Sequence, residues 1–218
     1  MLKKFFLSAL VILAILLFIA LYRTVIHTAP VAGIISGEAI SIDEIKASQN
    51  LAASIRFKTI SYQDEEKFPY EEFNNFIKWA STTYPEFHKV MEIEQLKHSL
   101  LFKWQGSDSM LAPILFEGHH DVVPIIPGTE NLWQEDPFAG VISNNRIWGR
   151  GALDDKSGVI GLMEAATYLI KNNFNPKRTI YFSFGHDEEV GGSGAALITE
   201  KLRQEGVQLS WSLGEGSF

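Results

Sequence analysis

The chain has 218 residues, 46% of them hydrophobic, with a formal net charge of −7 at pH 7. That is enough apolar material for a buried core in one or two domains, and the acidic balance disfavours nucleic acid as a partner, since phosphate binding needs clustered Lys and Arg. Cysteine is absent, which excludes disulfides, thiolate zinc sites and a cysteine nucleophile, so any metal must be held by nitrogen and oxygen.

Residues 1–23 open with Lys3 and Lys4 and continue as an apolar run from Phe5 to Tyr22 broken only by Ser8. A helix of about 18 residues rises about 27 Å, close to the hydrocarbon thickness of a bilayer. His27-Thr28-Ala29 is a poor small-x-small cleavage site, so the segment reads as an uncleaved anchor in preference to a signal peptide. The near-side lysines leave the N-terminus cytoplasmic and the rest of the chain extracytoplasmic: periplasmic, extracellular or lumenal. Residues 24–41, with Pro30, Gly33 and Gly37, read as a linker.

From Ser41 the apolar positions Ile45, Leu51, Ala52 and Ile55 give an amphipathic helix that Ser41 or Asp43 can cap. A second helix is expected over Tyr70 to Tyr84, where Phe73, Phe76, Ile77 and Ala80 form an i, i+3, i+4, i+7 stripe ending before Pro85. Lys89–Leu96 and Ser99–Trp104 read as two strands joined by a tight turn, and Ala112–Glu117 as a better-buried strand. Asn131–Asn145 reads as a loop, Ser157–Asn173 as a long helix, Arg178–Gly185 as a strand, Ser193–Gly206 as a helix and Gln208–Leu213 as a last strand. The alternation of strand and helix in the second half predicts an α/β fold, a mixed and partly parallel sheet flanked by helices and preceded by the membrane helix.

Three polar motifs fall where apolar runs end: GHHDVVP from Gly118, GRGALDDKSG from Gly149 and GHDEEVGG from Gly185. Ligands bind at the carboxyl ends of strands in open α/β sheets, so the three motifs are candidates to converge on a metal. His119 and Asp121 lie two apart and project to one side of an extended segment, which suits an imidazole ligand with a carboxylate holding its other N–H. Asp154 and Asp155 precede a helix and offer either a carboxylate that bridges two cations or a helix cap. Glu188 and Glu189 are adjacent carboxylates able to divide into one ligand and one general base. Nitrogen and oxygen donors of this kind suit zinc, with cobalt or manganese compatible.

In order and wording the three motifs, with W-x-x-D-P-F at Trp133–Phe138, resemble the dinuclear zinc metallopeptidase family of carboxypeptidase S, glutamate carboxypeptidase and the aminoacylases, most of all its carboxypeptidase S and N-acyl amino acid hydrolase branch. The resemblance runs from about Ile42 to the C-terminus and implies a zinc-exopeptidase-like fold. It also implies His119 as the first zinc ligand, Asp121 as the aspartate that positions it, and Asp154 as the ligand bridging two zinc ions, joined to Asp155 by a peptide bond that is often cis. Glu188 is then the general base and Glu189 a ligand of the other zinc. The implied reaction is hydrolysis of an amide or peptide bond in a small peptide or an N-acyl amino acid.

Two departures qualify that expectation. Gly214 stands where the family pattern has a ligating aspartate, and Glu215 is expected on the opposite strand face unless the strand slips by one residue, in which case Glu215 compensates. Residues 42–218 correspond to the N-terminal part of the catalytic domain, ahead of the lid or dimerisation domain and of a last histidine ligand, so a homodimer is expected only where that domain is present. The site is therefore expected to be impaired, and the competing expectation is a non-catalytic, membrane-anchored remnant or binding protein that keeps the hydrolase fold.

Overall fold

The structure, a computed structural model, describes residues 2–26 and 40–215 and divides into two units, Met1–Ser41 and Ile42–Phe218. Most of the expected linker, residues 27–39, lies outside the described residues. In the first unit a single helix, α1 (Leu2–Ile26), is apolar and long enough to cross a membrane by length and composition, a property that signal sequences share, and none of it is buried.

The second unit is built on a five-stranded sheet in the order β1-β2-β6-β3-β7, where β1 is Glu92–Leu96, β2 Ser99–Trp104, β3 Ile114–His119, β6 Ile180–Gly185 and β7 Trp211–Leu213. β1–β2 and β2–β6 are antiparallel, whereas β6–β3 and β3–β7 are parallel. The mixed, partly parallel sheet is therefore present as expected. Its helices are α2 (Glu44–Ile55), α3 (Tyr70–Thr83), α4 (Pro85–Val90), α5 (Lys156–Lys171) and α6 (Ser193–Gln204).

Strand alternation sorts the core into two layers. Leu100, Phe102, Trp104, Phe182 and Phe184 face Val159, Ile160 and Met163 of α5, together with Phe76 of α3 and Phe87 of α4. Leu101, Tyr181 and Leu115 face Ile198 and Leu202 of α6 on the other side. Each of these large side chains contributes about 1.5–3 kcal/mol by leaving water.

The spacing at Phe73, Phe76, Ile77 and Ala80 makes α3 as read, with Phe73, Phe76 and Ala80 fully buried. Asp43 caps α2 by accepting from the Lys46 backbone N–H at 3.0 Å. Two expectations need correction. Lys89 and Val90 belong to the last turn of α4, which Pro85 starts and buried Phe87 anchors, so the strand begins only at Glu92. The end of the stretch expected as a loop holds the first strand and turn of a hairpin, β4 (Val141–Ser143) with β5 (Arg146–Trp148), turning through Asn144 and Asn145 at φ 51° and 58°. Asparagine tolerates this left-handed backbone, and two such residues in succession make a type I′ turn.

Candidate metal centre

Parallel pairing brings the site together. His119 is in register with Gly185, so the segments that leave β3 and β6, 120–121 and 186–189, emerge side by side at the same end of the sheet. The hydrogen bond from His120 N–H to the Gly185 carbonyl, 2.9 Å, continues that pairing one residue past β3. The N-terminus of α5 is drawn to the same place by Asp155, which caps it by accepting from Gly158 N–H at 3.1 Å and also lies 3.4 Å from His119 N–H. The cap needs glycine on both sides: a Cβ at Gly118 would come within 2.9 Å of Asp155 Oδ2, and one at Gly158 would overlap the carboxylate. The Asp154–Asp155 peptide bond is cis.

His119 is the centre of the cluster and is 2% exposed. Its Nδ1 lies 3.1 Å from Asp121 Oδ1, while its Nε2 lies 3.0 Å from Asp154 Oδ1, 3.1 Å from Glu215 Oε1 and 3.9 Å from Glu188 Oε2. Burial alone would lower the pKa of this imidazole, but the hydrogen bond and charge of Asp121, then the charges of Glu215 and Asp155, outweigh it and hold the group at about 10. Burial pushes Asp121 up, yet its hydrogen bond to His119 holds the carboxyl below the usual range. Burial pushes Glu189 up as well, reinforced by Asp154, Asp121 and Glu188.

Asp121 does more than hold an imidazole. Its Oδ1 accepts the Glu188 backbone N–H at 3.1 Å and its Oδ2 the Glu189 N–H at 3.2 Å. One buried carboxylate thus ties the end of β3 to the acidic loop after β6. In that loop Asp187 faces the other way, accepting from Ser193 N–H at 2.9 Å, Gly194 N–H at 2.8 Å and the Ser193 hydroxyl, which fixes the start of α6. His120, alternating away from His119, stacks on Phe76 at 4.9 Å between ring centroids, and burial pushes its pKa down to about 3. It is a neutral core residue.

Glu215 corrects the sequence expectation. Alternation puts it on the wrong face only if β7 continues, and pairing with β3 stops at Leu213. Beyond that point the chain leaves the ladder and the Glu215 carboxylate reaches the imidazole. His119, Asp154 and Glu215 each offer one atom, all within 4.8 Å of one another. One imidazole nitrogen and two carboxylate oxygens are a donor set that suits zinc and related divalent ions.

Lys156 carries a role that the sequence does not announce. It is fully buried and donates to the carbonyls of Ser54, at 2.9 Å, and Phe57, at 2.6 Å, at the C-terminal end of α2. Burial pushes its pKa down to about 7. The signal for it was its place directly after the two aspartates.

Residues 115–216 match the model of peptidase family M20/M25/M40. The chain is similar to a probable carboxypeptidase S-like 2 protein of Dictyostelium discoideum, with 40% identity over 164 residues, 74% of this chain and 31% of that one. It is similar also to the mouse N-fatty-acyl-amino acid synthase/hydrolase PM20D1, with 37% identity over 179 residues, 81% of this chain and 35% of that one. Its fold resembles that of an M20 family metallo-carboxypeptidase, Sso-CP2 from Sulfolobus solfataricus, with TM-score 0.63 and 21% identity over 81% of this chain and 38% of that one. The chain spans about a third of the length of the curated relatives it matches.

Proposed function

This chain belongs to peptidase family M20/M25/M40, and from that premise we propose that it carries the metal-binding part of a hydrolase that cleaves an amide bond in a small peptide or an N-acyl amino acid. The observation that carries this reading is the buried His119, clamped at Nδ1 by Asp121 and turned at Nε2 toward the carboxylate of Asp154 3.0 Å away. The names of the relatives support the substrate class, a carboxypeptidase in one case and an N-fatty-acyl-amino acid hydrolase in the other.

In this reading His119 and Asp154 hold a divalent ion, zinc by preference, and Glu189 and Asp154 serve a second one. A bound ion supplies Lewis-acid chemistry, polarising the carbonyl and acidifying the attacking water. Asp121 fixes the imidazole tautomer, so that Nδ1 keeps its proton and Nε2 presents a lone pair. Glu188 is the general base. Its carboxylate is half-exposed and within 3.9 Å of His119 Nε2, so it is open to the water it deprotonates, and it then delivers that proton to the departing amine nitrogen. Its position is maintained by the Asp121 carboxylate gripping the backbone of the same loop.

We further propose that α1 anchors the protein in a membrane, with the catalytic unit on the extracytoplasmic side. Its exposed apolar surface and Lys3 and Lys4 in its first turn support this.

The direct test is hydrolysis of N-acyl amino acids and dipeptides by the protein in detergent micelles, with and without a chelator. The reading expects zinc uptake that the chelator reverses, and whatever hydrolysis the chain supports to be lost with the zinc and restored by it. Activity indifferent to chelation, or equal in a Glu188→Gln variant, would contradict it.

A further inference from the structure

The family resemblance implies a carboxylate at position 214, where this chain has glycine. A Cβ built on Gly214 would lie 3.1 Å from the Cβ of Glu117, beside β3 and two residues short of His119. Gly214 itself offers no side-chain donor. Because β7 pairing ends at Leu213, the next residue is free of strand alternation, and glutamate is one methylene longer than aspartate. Those two features together carry the Glu215 carboxylate to 3.1 Å from His119 Nε2.

Resting on the metal-site reading above, we infer that Glu215 is the third protein ligand of the ion held by His119 and Asp154, taking the place of the missing side chain at 214. Two ligand atoms bound to one zinc at about 2.0–2.2 Å in tetrahedral geometry sit about 3.3 Å apart. The His119–Asp154 and His119–Glu215 separations, 3.0 and 3.1 Å, need only a few tenths of an ångström of adjustment. The imidazole that anchors the set is 2% exposed and fixed at its far nitrogen by Asp121, so its free nitrogen is committed to this point in space. Charge points the same way. Glu215, Asp154 and Glu188 surround a single imidazole, and a divalent cation neutralises what that ring cannot. With Glu215 the ion has the three protein ligands expected of a catalytic site; without it there are two.

The test is zinc affinity of the full chain in detergent micelles, measured by competition with a chromogenic chelator, alongside the visible absorption of the cobalt-substituted protein. Glu215→Gln is expected to weaken zinc binding by at least about tenfold, as one of three ligands is lost, and to change the cobalt spectrum. Circular dichroism of the metal-free variant would verify that it folds. Zinc binding lost in His119→Gln but retained in Glu215→Gln at the wild-type level would overturn the assignment of Glu215 alone. A folded wild-type chain that takes up no zinc would overturn both this assignment and the metal-site reading beneath it.

Discussion

Asp121 illustrates how much of the site rests on one side chain. Its carboxylate accepts from His119 and from two consecutive backbone amides, those of Glu188 and Glu189, so it sets the angle of an imidazole and the position of a loop together. Asp121→Asn keeps the shape but trades an acceptor oxygen for a donor that faces N–H groups. Partners that orient a metal-binding histidine are worth about 10–100-fold in metal affinity or activity, and a loss in that range is expected by chelator competition; affinity within twofold of wild type would contradict the clamp. The H-x-D half of this arrangement is legible in sequence because extended residues two apart share a face. The amide half is not, since nothing in HHDVVP says which distant backbone will lie beside it. The position of Glu215 is hard to read from sequence for a related reason: alternation is a rule about strands, and the place where β7 stops pairing is set by tertiary packing.

Among the elements, α5 shows how the acidic motif is built into the scaffold. Asp155 caps its N-terminus while touching the backbone of His119, and Lys156, the next residue, closes the C-terminal end of α2 through the carbonyls of Ser54 and Phe57. Cations at that end of a helix are favoured by its dipole. Lys156→Met keeps the volume but leaves two carbonyls without this donor, so a loss of about 1–3 kcal/mol is expected by denaturant unfolding; an unchanged midpoint would show that the lysine does not hold the two helices together. The long amphipathic elements were legible from their periodicity, as in α3 and α5. Short ones were not. The six-residue α4 is too brief for a period to declare itself, and the β4–β5 hairpin of three-residue strands was hidden by its polar surroundings, although Asn144-Asn145 carried the turn signal.

At the scale of the whole molecule, the buried histidines give the fold a definite response to acid. Burial holds His88, His98 and His186 below the usual imidazole pKa, and His120 at about 3. Each has a folded pKa below its unfolded value of about 6.5, so the unfolded chain binds more protons as pH falls beneath that value, and stability is lost. His119 has the opposite sign: its pKa of about 10 in the metal-free protein makes it stabilising below about 6.5 and lost only as pH rises through 10, so it adds no slope between pH 6.5 and 5. His88→Gln is therefore expected to lose less unfolding free energy than the wild type between pH 6.5 and 5. An equal loss in the two proteins would contradict a neutral His88 imidazole.

The first unit calls for its own test. An anchored protein should resist extraction from membranes by alkaline carbonate, and removal of residues 1–26 should release it; extraction of the full chain by carbonate would contradict the anchor.

The central claim is that motifs far apart in the chain meet to hold a divalent ion on His119 and Asp154. Anomalous diffraction at the zinc edge, from crystals of the protein grown with zinc, tests it most directly. The account requires a peak at about 2.0–2.2 Å from both His119 Nε2 and an Asp154 carboxylate oxygen; anomalous density bound elsewhere, with that cluster empty, would contradict it.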